Sequence, residues 1–600
     1  MIFPKIFCIS FLIFSVTSIS DDEDLIDLTN YVYPSPNDNY YTYIPILSTN
    51  DFHGEIFPEK YSDPNKVRYS NGGANYLYSY KKILKEDWGD RLIWLDAGDQ
   101  FQGTMECMLS DCYIMKDYYN KAGLQGITLG NHDFDYEIPH LKKIIQEQHF
   151  PLICANIIEK SSNKYIYETW DNVDPYKIFE IKIDKTENAT IKIGVIGLAT
   201  KTTPTQTSGD VSGLEFTDYV TETDKWNKIL REEHEVNAVI VLTHFGPYCG
   251  NDGNDKYVLM MRDQKTNQKM CDPTEEENIY LEELKKRNIT IDAVVAGHVH
   301  NVVHHWIADV PVVQSSGADY FNVIYLPFVY NKKTLKYDLK KDAVKIEGPV
   351  PVCEKLWPDY KSCSYRYKDS SVMKQFKFHN KTITIDPEMK TLLQGWEEII
   401  NKKLENVLAE TETDVTKKYN EESFLANFVN DLGRIITDSD ICFFNNGGIR
   451  STWRRGPINE IDLFRMFPFN NTWIRFEMTG EEVFHMIQDL DEEGIYPSSG
   501  LIQTFSLKKS KYTLKSLLVY DGFEERPLIP QKTYKICTND FLAEGGSEMS
   551  KVRKWYKELR NEKKIGIIRE LIKDFFKKMK GKLRQDKFID FNYPRINIEN

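Results

Sequence analysis

Five short apolar segments between residues 43 and 295 each run into polar side chains of the kinds that bind metal ions. The segments alternate with charged, helix-like stretches, a pattern typical of an α/β domain with buried strands. Ligands of such sheets bind beyond the carboxyl ends of the strands, so the five polar clusters are expected to meet at one edge. The segments and their clusters are 43–47 with 50–54, 92–95 with 96–99, 127–129 with 130–133, 239–242 with 243–246, and 291–295 with 296–300.

The spacing within these clusters brings metal-binding side chains together. Asp51 and His53 are two residues apart, as are His298 and His300, and side chains two apart in an extended chain share a face. A single Asp or His after a strand is usually structural, because turns and caps are common there. Five clusters containing five of the 12 histidines instead predict a preformed metal site. Mixed imidazole and carboxylate ligands suit zinc, manganese, iron or cobalt better than magnesium or calcium.

The charge of the chain limits what such a site can bind. The formal net charge is −14, which argues against a nucleic-acid polymer as a partner, because such binders need a basic surface. A pair of divalent ions brings more positive charge than Asp51 and Asp99, the only anionic ligands expected, can neutralise. The centre would therefore stay positive and attract a phosphate monoester dianion.

Taken in order, the clusters resemble the signature of the calcineurin-like metallophosphoesterases, and their surroundings resemble the 5′-nucleotidase family. The second half of the chain carries further motifs that match the nucleotide-binding domain of that family. The resemblance covers almost the whole chain beyond its first 20 residues. The motifs are 49–54 (TNDFHG), 98–104 (GDQFQGT), 130–135 (GNHDFD), His244, 297–300 (GHVH), 444–450 (FNNGGIR), 467–470 (FPFN) and 538–546 (TNDFLAEGG).

The resemblance implies a fold and a cofactor. The fold is an N-terminal four-layer α/β/β/α sandwich followed by a second, smaller α/β nucleotide-binding domain. The cofactor is a pair of divalent metal ions, zinc first, with manganese, cobalt or iron as alternatives. Asp99 would bridge the two ions. The implied ligands are Asp51, His53, Asp99 and His300 for the first ion, and Asp99, Asn131, His244 and His298 for the second.

The resemblance also implies catalytic and substrate-binding roles. A metal-bound water, with its pKa lowered towards neutrality, would attack phosphorus in line as a hydroxide. His132, oriented by Asp135, would stabilise the transition state and assist the leaving group. Two phenylalanines would stack on the faces of a base without reading its edge, so loose base selectivity is expected. The implied substrate contacts are Asn445, Arg450, Phe469 and Phe541.

Two departures from the family pattern concern the substrate. Ser547 follows Gly545-Gly546 where the family usually has an Asp that binds the ribose, and residues 417–420 lack an Arg that is often found there. Phosphoester hydrolysis is therefore better supported than nucleoside monophosphate specificity. A 5′-nucleotidase, an apyrase and a nucleotide-sugar hydrolase would all use the same residues. A non-catalytic nucleotide-binding protein is a further alternative, but it would have no reason to keep all seven ligands with His132 and Asp135.

The ends of the chain bear on its location. The first 20 residues contain a positively charged region, a short apolar run and small residues before Asp21, which is typical of a secretory signal peptide. A secreted, extracellular protein without a transmembrane span is therefore expected. With 600 residues, two large domains are expected. The expected segments are 1–20 as signal peptide, 41–345 as metallophosphoesterase domain, 346–390 as connector, 391–560 as substrate-binding domain and 561–600 as basic amphipathic tail.

The tail carries apolar residues on one helical face among many lysines. Such a helix most often packs on its own domain. The alternative is weak contact with acidic lipid or an acidic partner. The sequence does not indicate an oligomeric state. The residues on the apolar face are Ile565, Ile568, Ile572, Phe575 and Met579.

The cysteines and glycosylation sequons fit secretion. Three cysteine pairs that are close in sequence are expected to bridge loops, namely Cys107 with Cys112, Cys249 with Cys271, and Cys353 with Cys363. Three cysteines in apolar runs are expected to be buried thiols, namely Cys154, Cys442 and Cys537. The sequons are at Asn188, Asn288, Asn380 and Asn470.

Overall fold

The structure is a computed structural model that describes residues 34–599 with internal gaps. Several positions discussed above lie outside the described residues: the signal peptide, Asn188, residues 419–420 of the segment 417–420, Phe469, Asn470 and Ser547. The gaps are 63–64, 66–67, 184–189, 208, 250–270, 316, 359–361, 364–367, 376, 405, 419–420, 468–470, 491–494, 509–510, 521–523, 544–558, 580 and 590–593.

Within the described residues, the first domain is built on two large sheets. One sheet has the order β13-β12-β1-β2-β3-β4-β5, with β14 also pairing with β12, and the other has the order β6-β7-β8-β9-β11-β10. The strands β1 to β5 run parallel, as do β7, β8, β9 and β11. The strands are β1 Thr42–Thr49, β2 Ile93–Asp96, β3 Gly126–Ile127, β4 Leu152–Ile153, β5 Val173–Asp174, β6 Tyr176–Lys182, β7 Thr190–Leu198, β8 Ala238–Thr243, β9 Ala293–Ala296, β10 Val303–Ile307, β11 Val310–Gln314, β12 Tyr320–Asn331, β13 Lys336–Leu339 and β14 Lys345–Pro351.

Helices cover the outer face of each sheet. The apolar strands are buried on both faces, which explains why they read as continuous apolar runs rather than as alternating ones. The helices are α1 Ala74–Trp88, α2 Met105–Leu109, α3 Tyr113–Ala122, α4 Ile138–Glu147, α5 Ile166–Thr169, α6 Thr203–Gln206, α7 Tyr219–Lys228, α8 Glu276–Lys286 and α9 Pro387–Leu404.

Three apolar cores separate the layers of this domain. Between the two sheets, Ile46 and Leu95 of the first face Val195 and Leu242 of the second. The outer face of the first sheet packs against α1, α3, α4 and α9, and that of the second packs against α7 and α8. The layers are therefore helix, sheet, sheet and helix, and the predicted four-layer α/β/β/α sandwich is confirmed.

The segment 346–390 was expected to form a connector, but its described residues lie within the first domain. The strand β14 pairs with β12 along the edge of the first sheet. Val350, Trp357, Phe378 and Met389 belong to the core between that sheet and its helices. The lysine, serine and proline residues of this segment favoured the prediction of a connector, although apolar positions among them anchor it to the core. Short ladders complete the domain: Glu59–Ser62 with Arg68–Asn71, Ile157–Glu159 with Lys164–Tyr165 and Leu214–Phe216, Lys355–Leu356 with Lys374–Gln375, and Lys377–Phe378 with Lys381–Thr382.

The second domain, as far as it is described, contains a five-stranded sheet with the order β17-β15-β21-β16-β22 and a four-stranded sheet with the order β20-β19-β18-β23. Its strands are β15 Ile441–Phe443, β16 Thr472–Thr479, β17 Ser498–Ser499, β18 Leu501–Lys508, β19 Lys511–Tyr520, β20 Glu525–Pro527, β21 Thr533–Asn539, β22 Arg560–Ile567 and β23 Ile596–Glu599, beside the ladder Val407–Thr411 with Gly456–Asn459. Its helices are α10 Phe424–Ile436, α11 Glu460–Met466, α12 Gly480–Leu490, α13 Asp540–Ala543 and α14 Ile568–Lys578.

The segment expected to be a tail contributes to this second domain. The strand β22 pairs with β16, and β23 pairs with β18. On α14, Ile568, Ile572 and Phe576 are buried in a core shared with α10. The apolar face of the basic helix is thus covered by its own domain, whereas contact of its lysines with an acidic surface stays a prediction.

Four disulfides join cysteines of the described residues. The three pairs close in sequence are bridged as predicted. The prediction of thiols at Cys442 and Cys537 was wrong, because these residues lie opposite each other on the neighbouring strands β15 and β21 and form a disulfide. Cys154 is a buried free cysteine, as predicted. The sequon residues Asn288 and Asn380 are exposed.

Among the described helices, none combines the length and apolar character needed to cross a bilayer.

A buried histidine fastens residues 377–382 to the rest of the first domain. His379 places Nδ1 3.1 Å from Asp87 Oδ2 of α1 and Nε2 3.2 Å from Glu347 Oε1 of β14. Lys381 also contacts Asp87, at 2.7 Å. Burial by itself would lower the pKa of His379, but Glu347 and Asp87 outweigh burial and raise it to about 9.

The raised pKa predicts a loss of stability at alkaline pH. The protonated histidine stabilises the folded state fully below its ordinary pKa of 6.5, and this contribution disappears as pH rises through about 9. The contribution is at most about 3 kcal/mol. Urea unfolding between pH 6 and pH 9.5 should therefore show a steeper decline for the native protein than for His379→Gln. Parallel declines for the two proteins would contradict the expectation.

Candidate metal and phosphate site

The loops after the strands of the first sheet are joined to one another by backbone hydrogen bonds. Thr49 and Asp96 are register partners on the parallel strands β1 and β2, so the loops that follow start side by side. The Asp51 N–H donates to Gly98 O at 2.8 Å, and the His53 N–H donates to Asp99 O at 3.0 Å. The ends of two neighbouring strands therefore deliver Asp51, His53 and Asp99 to one place, as the sequence predicted.

The backbone of this cluster is unusual. Five of the seven predicted ligands have positive backbone φ angles, which residues other than glycine rarely adopt. Such conformations cost free energy and persist where the surrounding structure fixes them, typically at functional sites. The five are Asp51 (51°), His53 (47°), Asp99 (57°), His298 (82°) and His300 (53°).

Two glycines allow the neighbouring loops to approach closely. A Cβ at Gly98, whose φ is +90°, would lie 2.5 Å from the Gly130 nitrogen. A Cβ at Gly130 would lie 2.0 Å from Asp99 Oδ1. Any side chain at either position would push the loop that carries Asp99 away from the loop that carries Asn131, so glycine is required at both.

The first group of converging side chains consists of Asp51, His53, Asp99 and His300, whose ligand atoms lie within 4.8 Å of one another. His300 Nε2 is 3.2 Å from Asp51 Oδ1, and His53 Nε2 is 3.7 Å from Asp99 Oδ2. The two Nε2 atoms of His53 and His300 are 2.9 Å apart. These distances fit one ion held by two carboxylates and two imidazoles.

The second group consists of Asp99, His244 and His298, also within 4.8 Å of one another. His244 lies at the end of β8 in the second sheet and is fully buried, with Nε2 3.0 Å from Asp99 Oδ2. His298 follows β9, and its N–H donates to Asp51 at 2.8 Å. Both sheets therefore contribute to the cluster, and Asp99 belongs to both groups.

Hydrogen bonds from Nδ1 to backbone carbonyls fix the ring orientation of two histidines. His244 Nδ1 hydrogen-bonds Ala97 O at 2.7 Å, and His53 Nδ1 hydrogen-bonds Phe101 O at 3.1 Å. With Nδ1 as the donor, Nε2 faces the centre of the cluster and offers its lone pair there when the ring is unprotonated. Backbone carbonyls behind histidine ligands are the usual way in which proteins orient them.

The carboxylates of the cluster favour their charged form. Burial alone would raise the pKa of Asp99, but His244, His132 and His53 outweigh burial and hold the pKa well below its usual range. Burial likewise opposes ionisation of Asp51, while His300 and His244 lower its pKa. Burial and the charge of His244 lower the pKa of His298 to about 4, so this imidazole is neutral at physiological pH.

The side chain of Asn131 independently indicates whether the site suits a metal ion. Its Nδ2 donates to Gln206 O at 2.9 Å. Its Oδ1 is buried and has no hydrogen-bond partner among the described residues. A buried carbonyl oxygen without a partner is costly, and a cation would satisfy it. His132, the next residue, donates its N–H to Asp99 Oδ1 at 2.8 Å, so Asn131 lies beside the second group. The residues therefore fit two divalent ions.

His132 and Asp135 form a pair at the edge of the cluster. His132 Nδ1 is 2.8 Å from Asp135 Oδ2, and the ring centroid of His132 is 5.4 Å from that of His53. Burial alone would lower the pKa of His132, but the bond to Asp135 and the charge of Asp99 raise it to about 9. The imidazole thus lies close to the proposed ligands with its Nδ1 already engaged.

Sequence reasoning missed two residues that build this site. The Asp133 carboxylate accepts the N–H groups of Gly130 at 2.8 Å, Asp99 at 3.1 Å and Gln100 at 3.0 Å, and so joins the two loops. Its position inside the motif at 130–135 was the available signal. Thr207 donates to Asp135 Oδ1 at 2.8 Å, and nothing in the sequence connects these residues, which are 72 positions apart.

The second domain gathers part of the predicted substrate site. Asn445 follows β15 and Phe541 follows β21, and these two strands are parallel neighbours. The Asn539 side chain donates to Asn445 Oδ1 at 3.1 Å and thereby links the two strand ends. Phe541 is 47% exposed, so its side chain is accessible to a ligand.

Arg450 lies on the loop that follows β15. Its side chain is exposed and makes one long hydrogen bond, of 3.4 Å, to Gly447 O. Lys417, at the place where the family often has an Arg, contacts Ile449 O on the same loop. A second cation therefore lies next to Arg450, a feature that the sequence alone did not indicate.

The two domains contact each other next to the cluster of metal-binding side chains. Phe464 of α11 belongs to the core of the first domain, and Arg569 of α14 reaches Met108 Sδ of α2 at 4.0 Å. Thr104, which caps α2, donates to Gly54 O beside His53.

Two family models match the chain. The calcineurin-like phosphoesterase model matches residues 44–302, and the 5′-nucleotidase C-terminal domain model matches residues 402–554. The first match contains every proposed metal ligand with His132 and Asp135, and the second contains Asn445, Arg450 and Phe541.

Known proteins resemble the chain over most of its length. An apyrase from Tabanus yao is 25% identical over 589 residues, covering 88% of this chain and 91% of that protein. A 5′-nucleotidase from Vibrio cholerae is 24% identical over 539 residues, covering 85% of this chain and 86% of that protein. The crystal structure of a 5′-nucleotidase precursor from Thermus thermophilus shares the fold, with a TM-score of 0.58, 19% identity and coverage of 93% of this chain and 99% of that one.

Proposed function

Because this chain belongs to the 5′-nucleotidase family of calcineurin-like metallophosphoesterases, we propose that it is a secreted, dimetal phosphohydrolase that releases phosphate from extracellular nucleotides. One observation carries the proposal: two groups of metal-binding side chains share Asp99. A buried carboxylate common to two such groups is the arrangement expected of a bridging ligand. Surface ion pairs do not gather six polar side chains of two sheets in this way.

Asp51, His53, Asp99 and His300 would hold one ion, and Asp99, Asn131, His244 and His298 the other. Two bound divalent ions would supply Lewis-acid polarisation of the phosphoryl group and would favour ionisation of water near neutral pH. The mixed donor set favours zinc, with manganese, cobalt or iron as alternatives.

The chain's own residues perform the rest of the reaction. Water oxygen bonds to phosphorus in line, the bond from phosphorus to the leaving oxygen breaks, and that oxygen takes a proton from His132 Nε2. The proton lost by the water passes to solvent, from which His132 is protonated again. Asp135 holds Nδ1 at 2.8 Å and thereby fixes the direction in which Nε2 points.

The second domain would bind the remainder of the nucleotide. Arg450 is exposed and always charged, which suits bidentate contact with phosphate oxygens. Phe541, together with Phe469, would stack on the base, and Asn445 would contribute a polar contact. Stacking alone discriminates weakly between bases.

The four disulfides support a location outside the cytosol, where such bonds persist. The apolar start of the chain would then act as a signal peptide, and Asn288 and Asn380 are exposed sequons available to a glycan.

Release of inorganic phosphate from AMP, ADP, ATP and UDP-glucose tests the proposal. We expect release from at least one of the four with zinc or manganese supplied, and its loss when a chelator is added. Readdition of the metal should restore it. No release from any of them under metal supply would contradict the proposal. The profile across the four also identifies the substrate class.

A further inference from the structure

Both carboxylate oxygens of Asp135 are engaged by neighbouring side chains. Oδ2 contacts His132 Nδ1 at 2.8 Å, and Oδ1 accepts the Thr207 hydroxyl at 2.8 Å. The Asp135 side chain is only 4% exposed. A buried carboxylate that is tied at both oxygens cannot rotate without losing a hydrogen bond, and a lost bond in a buried site is costly.

The direction of the Thr207 hydroxyl is fixed by its own surroundings. The Gly209 N–H donates to Thr207 Oγ1 at 3.2 Å, which leaves the hydroxyl proton for Asp135. The Thr207 N–H donates to Thr203 O at 3.1 Å, at the end of α6. Thr207 is thus a fixed donor at the end of a short helix rather than a mobile surface hydroxyl.

The same segment touches the loop of residues 131–135 at two further points. Gln206 O accepts Asn131 Nδ2 at 2.9 Å. Gly209 lies so close to Phe134 that a Cβ there would be 1.9 Å from Phe134 O. Gln206, Thr207 and Gly209 therefore support the loop from its start at Asn131 to its end at Asp135.

We propose that Thr207 is a positioning residue for the reaction, acting through Asp135 to orient His132. The inference rests on the proposed function, because it assigns Thr207 a part in that same chemistry. Without the hydroxyl, Asp135 can turn about its side-chain bonds, and His132 Nε2 then loses its alignment with the leaving oxygen. Substrate binding by the second domain does not depend on this alignment, so kcat should fall while KM holds.

Thr207→Val removes the hydroxyl at nearly constant volume, and Thr207→Ser retains it. Thr205→Val is the matched control, because Thr205 is exposed in the same segment and its hydroxyl bonds only the backbone of Thr202 among the described contacts. For the best of the four nucleotides, Thr207→Val should lower kcat at least about tenfold. Its KM, and its bound metal by elemental analysis, should stay within about twofold of the native protein.

A double variant separates positioning from a general structural role. In an Asp135→Ala background, Thr207→Val should change kcat less than about twofold, because the residue through which it acts is already gone. Thr207→Ser should recover most of the activity. A kcat for Thr207→Val equal to that of Thr205→Val, or an undiminished loss in the Asp135→Ala background, would overturn the inference alone. A native protein inactive on all four nucleotides would overturn the proposed function with it.

Discussion

Asp99→Asn is expected to lower phosphate release by at least about a thousandfold and to deplete both metal positions. Asp99 is the residue that the two groups of side chains share, and it is 1% exposed. An amide in its place keeps the shape but removes the negative charge that holds two cations together. The same change leaves His244 and His53 facing a neutral group, so their capacity to bind a cation falls as well.

Elemental analysis and turnover, measured on the same sample, provide the check. Asp90→Asn is a suitable control, because that side chain is fully exposed and paired with Lys85 on the surface. The control should retain its metal and its activity. If Asp99→Asn kept two ions per chain and most of its turnover, Asp99 would not be the bridging ligand, and the proposed centre would be misassigned.

The cluster could be predicted from the sequence because its geometry follows from the ends of strands. Apolar runs mark buried strands, and parallel strands end at a common edge, so the residues that follow these strands are brought together. Asp51, His53, Asp99, His244, His298 and His300 converge for this reason. The two-sheet sandwich was predicted through the family resemblance rather than from the alternating pattern, which indicates an α/β domain without fixing how its sheets pack.

Pairings between distant segments could not be predicted in the same way. Cys442 and Cys537 are 95 positions apart, and each apolar run is equally consistent with a buried thiol. Only the register of β15 against β21 brings the two together. Thr207 is a similar case, since a lone threonine at the end of a short helix carries no sign of the carboxylate that it will contact. The positive φ angles at the ligands could not be predicted from the sequence either, because they occur at Asp and His rather than at glycine.

The lysine content of two segments led to wrong predictions of a connector between the domains and a tail after them. Residues 346–390 and 561–600 are rich in lysine, yet both supply strands and buried apolar side chains. Lysine stems pack along apolar surface while their charges remain in water, so a high lysine content is compatible with a packed element.

His132→Ala is expected to lower kcat by two to four orders of magnitude, a range of about 10²–10⁴ for loss of a general acid, while both metal positions stay filled. The residue lies 5.4 Å from His53, ring to ring, but its Nδ1 is engaged by Asp135 and it belongs to neither group of metal-binding side chains. Alanine therefore removes the proton donor without removing a ligand.

The matched control for His132→Ala is His149→Ala, since His149 is exposed and only its backbone N–H is bonded, to Asn120, among the described contacts. Turnover, KM and metal content together decide the role. A fall in kcat with unchanged metal excludes a role as metal ligand and agrees with a proton donor, because a lost ligand would reduce both kcat and metal content. Loss of metal in His132→Ala would instead place His132 among the ligands and remove the proton donor from the proposed mechanism.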